Sequence, residues 1–234
     1  MRRVYEKDNK GRIYYELDEK ERTVADIFTS VVVLTTTFSI DMTKVNTLRR
    51  EGKAPFSFYT FILKAAADTL ATFPILGGRW EGKHKIICSP PGEASVGGPI
   101  QVGDTTATLW IEKANQKSLS EISEVIKKEV SEAKLGKVNK KAFLMEQEGP
   151  GLPVSNVGAI GCVEWATGPL PHFAISALGT HSIIEKPKVV DGQIQIRKLM
   201  NASLVCDRRT MNANTSIEFF TEFQRRLENP LSWY

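Results

Sequence analysis

The stretch "SLVCDRRTMNAN", Ser203 to Asn214, brings three charged residues together near the end of the chain. A short apolar run ends there, and Asp207, Arg208 and Arg209 follow where a polar turn is expected. Isolated charges are costly to bury, so such a cluster is usually solvated or committed to a site. The end of this run is therefore the first candidate position for chemistry.

Three histidines, His84, His172 and His181, are the candidate general bases, because histidine changes charge nearest to neutral pH. His84 lies in a charged turn and His172 lies in the segment "GPLPHFAISALG". We interpret all three as ordinary surface or strand-end histidines.

The three cysteines, Cys88, Cys162 and Cys206, are far apart and form no C-x-x-C pattern, and no histidine lies at ligand spacing from them. This pattern supports neither a disulfide framework nor a zinc site. We predict three buried, reduced thiols and no metal. A cysteine close to Arg208 could have a lowered pKa, but we interpret Cys206 as core packing.

The elements that must position these residues alternate between strands and helices. The predicted strands cover residues 30–42, 105–114, 151–161 and 173–179, followed by a hairpin over 188–206 with an Asp191-Gly192 turn. The first predicted helix follows residue 41 and ends at Gly52. The other three predicted helices cover 57–74, 118–137 and 216–230. Ser57 is the expected N-cap of the second helix, and Ser118 or Ser120 begins a capping box in the third.

This order of elements predicts an α+β sandwich, in which helices pack against one mixed sheet. Residues 77–104 are rich in Gly and Pro and are expected to form hairpins and turns. Asp41 and Lys44, together with Asp191 and Gly192, lie at expected strand ends and turns, and we interpret them as structural.

Composition bounds the protein to a few classes. The chain has 234 residues, of which 41% are hydrophobic, which is enough for one large domain. Its formal charge of +4 is spread without basic runs, so a nucleic-acid partner is not expected. The beginning, "MRRVYEKDNKGR", lacks the apolar core of a signal peptide, and no run is long enough for a membrane span. The sequence therefore predicts a cytoplasmic protein with no membrane partner.

From about Val24 onward, the chain resembles the catalytic domain of dihydrolipoamide acyltransferases, the core subunits of 2-oxo acid dehydrogenase complexes. The segments that carry the resemblance are "FSIDMTK", "SFYTFILKAAADTL", "KSLSEIS", "PVSNVGAIG", "DGQIQIRKLMNASLVCD" and "FQRRLENP". The resemblance implies a chloramphenicol acetyltransferase-like two-layer sandwich, a homotrimer, and coenzyme A or acyl-CoA as a substrate. It implies one catalytic domain over 1–234, with 1–23 as an N-terminal extension. No lipoyl domain, peripheral-subunit-binding domain or lipoyl group is expected on the chain.

The family's Asp-His-Arg-x-x-Asp-Gly motif, whose histidine removes the proton from the attacking thiol or hydroxyl, falls on residues 207–213. Arg208 stands at the position of that histidine, and a guanidinium cannot accept a proton at ordinary pH. Asn212 replaces the acidic residue and Ala213 the glycine. A positioned general base contributes roughly 10²–10⁴ in rate, so the resemblance implies an impaired or repurposed site.

A second family position is kept. The resemblance implies that Ser155, in "PVSNVGAIG", donates a hydrogen bond to the oxyanion of the tetrahedral intermediate. The structural alternative is that Ser155 satisfies backbone groups at a strand end. Arg208 likewise has two interpretations, an ion pair with Asp207 or Glu218, or a grip on a carboxylate or phosphate.

Two functions from different classes follow, and the sequence leaves both open. The first is a CoA-dependent acyltransferase with a changed substrate or proton path. The second is a catalytically silent subunit that assembles with an active, histidine-bearing relative in a mixed trimer. A third function, binding of a CoA thioester as a sensor, is also left open. The ending "ENPLSWY" keeps Leu231, Trp233 and Tyr234, which could contact a neighbouring subunit.

Overall fold

The computed structural model describes residues 5–17, 22, 32–103, 105–137, 139, 149–170 and 174–233. Its strands are β1 (Glu6–Lys7), β2 (Ile13–Glu16), β3 (Val33–Asp41), β4 (Arg79–Glu81), β5 (Lys85–Cys88), β6 (Val96–Val102), β7 (Thr105–Ile111), β8 (Leu152–Asn156), β9 (Ser176–Val190) and β10 (Gln193–Asp207). Its α-helices are α1 (Thr43–Arg50), α2 (Phe58–Leu70), α3 (Leu119–Lys134) and α4 (Ala213–Glu228).

The described strands form two sheets. The larger has the order β3-β10-β9-β8-β6-β7, and the smaller has the order β1-β2-β5-β4. In the larger sheet β8 pairs parallel with both β6 and β9, and the other pairs are antiparallel. The predicted α+β sandwich with a mixed sheet is confirmed. The smaller sheet was not predicted, and it takes in β1 and β2 from the segment interpreted as an N-terminal extension.

The long ribbon of β9 and β10 is the main correction to the predicted strands. The segments predicted as one short strand and one hairpin arm form a single strand of 15 residues. The predicted turn is confirmed, because Asp191 and Gly192 connect the strands with φ of 50° and 77°. Near the middle of the ribbon, two residues of β9, His181 and Ser182, stand opposite one residue of β10, Asn201. This two-against-one pairing is a β-bulge.

The helices begin where side chains can satisfy their first backbone N–H groups. Ser57 accepts a hydrogen bond from Thr60 N, as predicted, and Ser118, rather than Ser120, forms the capping box with Glu121. Helix α4 begins earlier than predicted, because Asn212 accepts from Thr215 N at 3.0 Å. The C-terminal helix thus starts directly after the turn that follows β10.

The two faces of the larger sheet differ. On one face, Phe38 stacks on Phe220 of α4 with ring centroids 4.7 Å apart, and Phe219 and Phe223 of the same helix are fully buried. On the other face, odd-numbered residues of β3 meet the loop over residues 161–170. The hydrophobic core therefore lies on the helical side, and the loop covers the opposite side.

The C-terminal residues fold back onto their own chain. The Trp233 ring lies 6.1 Å from the Phe61 ring, and Trp233 Nε1 donates to Asp68 at 2.8 Å. Leu231 remains exposed, and Tyr234 lies outside the described residues. Trp233 is thus engaged within its own chain rather than held free for a neighbour.

No helix among the described residues is long and apolar enough to cross a membrane. No group of three His, Cys, Asp or Glu side chains within the described ranges is arranged to hold a metal ion.

Candidate functional site

The carboxylate of Asp207, at the end of β10, is 1% exposed and fully engaged. It accepts from Trp80 Nε1 at 2.9 Å, from the backbone N–H of Arg209 at 3.0 Å, and from the Arg209 guanidinium at 2.5 Å. The Arg209 guanidinium also lies 4.6 Å from the centre of the Trp80 ring. A buried carboxylate with this many donors is held in place, so this pair stabilises the turn.

Arg208 is not part of this ion pair, which corrects one of the two interpretations given to it. Its side chain is exposed, and Arg208 Nη1 donates to the carbonyl of Met211 at 3.1 Å. No carboxylate among the described residues, Glu218 included, forms an ion pair with it. The partner of Asp207 is Arg209, because its side chain folds back over the turn while that of Arg208 points outward.

Ser155 lies near the end of β8 in a row of small residues that crosses the sheet. Ser155 stands opposite Gly179 of β9, and Gly179 stands opposite Ser203 of β10. Thr37 of β3 continues the row, since its hydroxyl lies 2.9 Å from the Ser203 hydroxyl. Side chains in register project from the same face of a sheet, so these hydroxyls share the face opposite the helices.

The Ser155 hydroxyl is half-buried and makes no hydrogen bond to any described residue. The backbone carbonyl of Ser155, by contrast, accepts from the Thr180 hydroxyl at 3.4 Å. The structural alternative required the side chain to satisfy backbone groups, and the described contacts do not assign it that role. Its hydroxyl is available to donate to a bound molecule.

The loop over residues 161–170 covers this row of small residues. Trp165 Nε1 donates to Thr37 at 3.1 Å, and the Thr167 hydroxyl lies 3.4 Å from that of Thr35. At the start of the loop, Val163 N donates to the Ser182 hydroxyl at 2.8 Å. The loop is therefore attached to β3 and β9 and leaves a space beneath it.

That space, which we call the Ser155 cavity, has a volume of about 360 Å³. Its lining combines four polar side chains, those of Ser155, Thr167, His181 and Ser203, with small and apolar ones. The lining residues are Pro99, Pro153, Ser155, Val157, Ala166, Thr167, Gly168, Pro169, Ala177, Leu178, Gly179, His181, Ser203 and Val205. Neither Arg208 nor Asn212 lines it, so the structure does not bring the three predicted site residues together within one chain.

His181 lies at the edge of the Ser155 cavity, 2% exposed, next to the β-bulge. Its Nδ1 lies 2.9 Å from the Asn201 carbonyl oxygen, and its Nε2 lies 2.9 Å from Ala166 N and 3.0 Å from Ala166 O. Both ring nitrogens are therefore occupied by backbone groups. His181 thus anchors the covering loop, and it is buried within β9 rather than at the surface or at a strand end, as the sequence had suggested.

The other two histidines lie elsewhere. His84 is in the turn between β4 and β5 of the smaller sheet, and it does not line the Ser155 cavity. His172 lies outside the described residues. No described histidine thus stands in the cavity with a free ring nitrogen.

The prediction of three buried thiols is wrong for one of them. Cys88 and Cys206 are buried, but Cys162 is exposed in the covering loop. Burial raises the pKa of the Cys206 thiol to about 12. The thiol of Cys206 is therefore protonated and belongs to the core, as predicted.

The sequence analysis missed Gly179, Ser203 and His181 as a group. Gly179 ends one predicted strand and Ser203 lies within the predicted hairpin, and only the pairing of three strands makes them neighbours of Ser155. The alternation of Ser203 and Val205 with Leu204 and Cys206 along β10 was the available signal.

Helices on one face of a mixed six-stranded sheet, with a strand-end serine on the other, define a chloramphenicol acetyltransferase-like fold. A solved chloramphenicol acetyltransferase superposes with a TM-score of 0.60 over 97% of this chain and 99% of that chain, at 9% identity. The family model "2-oxoacid dehydrogenases acyltransferase (catalytic domain)" matches residues 18–234. The chain belongs to this acyltransferase family.

Two curated relatives are similar to the chain along most of its length. One is the dihydrolipoyllysine-residue succinyltransferase component of the 2-oxoglutarate dehydrogenase complex of Bartonella vinsonii, 28% identical over 89% of this chain and 51% of its own length. The other is the lipoamide acyltransferase component of the branched-chain alpha-keto acid dehydrogenase complex of Pseudomonas aeruginosa, 23% identical over 83% and 46%. The chain thus spans about half the length of these relatives.

A solved structure of Azotobacter vinelandii dihydrolipoamide acetyltransferase has the same fold, with a TM-score of 0.75 and 21% identity. The match covers 92% of this chain and 88% of that chain. That structure belongs to crystallographic and enzymatic work on the role of a serine, a histidine and an asparagine in its catalytic mechanism.

Proposed function

We propose that this chain takes part in CoA-dependent acyl transfer as the subunit that supplies the oxyanion donor, Ser155, while a histidine-bearing relative supplies the base. The acyl group passes between a CoA thioester and a thiol or hydroxyl acceptor. The two chains would meet in a mixed trimer, so that Ser155 of this chain faces the histidine of its neighbour. Its own Arg208 takes no proton in the reaction.

The observation that carries this proposal is the unengaged Ser155 hydroxyl beside the Ser155 cavity. A donor that acts on a developing oxyanion must be free of competing partners and held by a rigid element. Ser155 meets both conditions, because it lies on β8 between two paired strands and no described residue bonds to its hydroxyl.

Comparison with the Azotobacter protein supports the assignment of Arg208 to the position of the base. In that protein the serine precedes the histidine by 52 residues, and the asparagine follows the histidine by four. In this chain Ser155 precedes Arg208 by 53 residues, and Asn212 follows Arg208 by four. An asparagine at this position is thus found in an acetyltransferase, so Arg208 is the substitution that removes the proton acceptor.

The Ser155 cavity fits the acyl end of such a thioester. Its volume of about 360 Å³ lies within the usual range for small-molecule sites, roughly 300–1,000 Å³. Apolar walls with few polar groups are also typical of such sites, and here the polar side chains are those of Ser155, Thr167, His181 and Ser203. The proposal concerns the acyl end of the thioester.

The proposed reaction follows from these positions. The neighbour's histidine accepts the proton of the acceptor thiol or hydroxyl as its sulfur or oxygen attacks the thioester carbon. Negative charge develops on the carbonyl oxygen, and the Ser155 O–H donates to it. The carbon–sulfur bond to CoA then breaks, and the departing CoA sulfur takes the proton that the histidine holds.

A second candidate is a homotrimer of this chain that binds its partners without catalysis. Arg208 favours it, because a guanidinium at every base position would leave no proton acceptor in any site. The two candidates differ in one observable: only the first requires Ser155 to contribute to a reaction rate.

Replacing Arg208 with histidine tests whether the base alone is missing. The unmodified protein should transfer an acetyl group from acetyl-CoA to dihydrolipoamide barely above the uncatalysed rate, and Arg208→His should raise that rate by roughly 10²–10⁴. Arg208→Gln is the matched control, since it removes the charge without adding a base. A rate for the unmodified protein equal to that of Arg208→His would contradict the proposal.

The assembly state is tested separately. Size-exclusion chromatography with light scattering on the purified chain should give a mass of three subunits, since the proposed site lies between neighbours. A clean monomer at micromolar concentration, alone and after mixing with the relative, would remove the neighbour on which the mechanism depends.

A further inference from the structure

The described lining of the Ser155 cavity offers no cationic lysine or arginine to an acyl group. Among its described lining residues the one titratable side chain is His181, whose two ring nitrogens already meet backbone atoms. A carboxylate placed inside would lose water without gaining a charged partner, which is costly.

The floor of the cavity has open space above Gly179. An added Cβ on Gly179 would meet a single atom, the Ser203 carbonyl oxygen at 3.7 Å, so the space above Gly179 is open. Ser155 and Ser203 stand on either side of this gap, each in register with Gly179. Neighbouring strands lie about 4.8 Å apart, so the gap between the two serines is about two strand spacings wide.

We infer that the cavity takes a short, uncharged acyl group, which lies on Gly179 between Ser155 and Ser203. The cavity rejects an acyl group that carries a free carboxylate, such as succinyl. This inference rests on the proposed function and names its substrate class. The thioester carbonyl points toward Ser155, and the alkyl part contacts Ala177, Val205 and the loop residues Ala166 and Pro169.

The acyl group proposed for this chain differs from that of one relative described above. The Bartonella relative is a succinyltransferase component, whose acyl group carries a carboxylate. The composition of the cavity instead favours an acyl group that buries only hydrocarbon. The choice of acyl group therefore follows from the described lining and not from that relative.

Gly179 is the residue that sets the size limit. A valine at this position suits a strand and would meet no backbone at close range, so the fold should tolerate it. Its two methyl groups would occupy the space assigned to the acyl chain. Gly161→Val is the matched control, because Gly161 lies outside the cavity lining and an added Cβ there meets nothing within 4 Å.

The test is equilibrium binding of CoA, isobutyryl-CoA and succinyl-CoA to the full chain in the assembly that it forms, measured by titration calorimetry. Isobutyryl-CoA should bind about tenfold or more tightly than succinyl-CoA, since an unpaired buried polar group costs at least that factor. Gly179→Val should remove this preference and leave CoA binding unchanged, and Gly161→Val should change neither.

Three results would overturn the inference. Equal binding of the two acyl-CoA molecules would show that the cavity does not discriminate between charged and uncharged acyl groups. Tighter binding of succinyl-CoA, reduced by Arg208→Gln, would show that Arg208 of a neighbouring subunit supplies the missing cation. Retained preference in Gly179→Val would place the acyl group elsewhere. Failure of CoA and both acyl-CoA molecules to bind would instead overturn the proposed function itself, together with this inference.

Discussion

The ends of β10 and β8 are built in opposite ways. At the end of β10, the charged side chains of Asp207 and Arg209 bond to each other and to Trp80. At the end of β8, the uncharged side chain of Ser155 makes no hydrogen bond to a described residue and lines a cavity of about 360 Å³. The charged cluster thus has a structural function, and the less conspicuous serine is available for chemistry.

The difference follows from the cost of burying charge. A carboxylate that is 1% exposed must be paired, so the sequence around Asp207 is committed to satisfying it. A serine hydroxyl costs much less to leave without a protein partner at a half-buried position that a ligand or water can reach. Charge density in a sequence is therefore a poor guide to which strand end performs chemistry.

The largest expected difference between the two regions is in thiol reactivity. Cys206 lies near the end of β10 with a pKa raised to about 12 by burial, and Cys162 lies exposed beyond the end of β8. Because the thiolate is the nucleophile, iodoacetamide at pH 8 should modify Cys162 about 10³ times faster than Cys206. Mass spectrometry of peptides after timed quenching measures both rates, and comparable rates would show that Cys206 is not buried as described.

Replacing Asp207 should produce the largest loss of stability. Asp207→Ala removes the acceptor of Trp80 Nε1 and of the Arg209 guanidinium, and breaking a buried pair costs about 3–5 kcal/mol. Urea unfolding followed by circular dichroism measures the change in the free energy of unfolding. A loss below about 1 kcal/mol would place this turn among ordinary surface contacts.

Asn212 should matter for stability by a smaller amount. Its side chain accepts from the backbone N–H and the hydroxyl of Thr215 at the start of α4, so Asn212→Ala should cost about 1 kcal/mol. Asn212→Asp keeps the N-cap acceptor and should retain most of the stability. Equal losses in both variants would mean that the cap is not the reason for the effect.

Arg208 is expected to matter least for stability. Its exposed guanidinium donates to one carbonyl and pairs with no described carboxylate, so Arg208→Ala should change the free energy of unfolding by less than about 0.5 kcal/mol. The same urea titration as for Asp207→Ala gives the comparison. A large loss would mean that Arg208, and not Arg209 alone, stabilises the turn.

The sequence predicted local structure well and long-range neighbours poorly. Ser57, Ser118 and the Asp191-Gly192 turn were identified correctly, because caps and turns depend on residues within a few positions of each other. The smaller sheet was missed, because the pairing of β2 with β5 joins residues about 70 positions apart.

The candidate site shows the same division. Ser155 was found from a local motif, whereas Gly179 and Ser203 become its neighbours only through the pairing of β8, β9 and β10. Of the two interpretations of Arg208, the ion pair with Asp207 is wrong, since the direction of each arginine side chain depends on the turn geometry and on Trp80. Sequence patterns do not contain that geometry.

The most direct test of the role of Ser155 is complementation in a mixed assembly. A histidine-bearing relative whose own oxyanion serine is replaced by alanine should lose about 10²–10³ in rate, and co-expression with this chain should restore much of that loss. The restored sites would combine the relative's histidine with Ser155. Co-expression with the Ser155→Ala variant should restore nothing, while the exposed Ser120→Ala variant should restore as much as the unmodified chain. Equal restoration by the Ser155→Ala variant, or a mixed assembly with no gain in rate, would contradict an oxyanion role for Ser155.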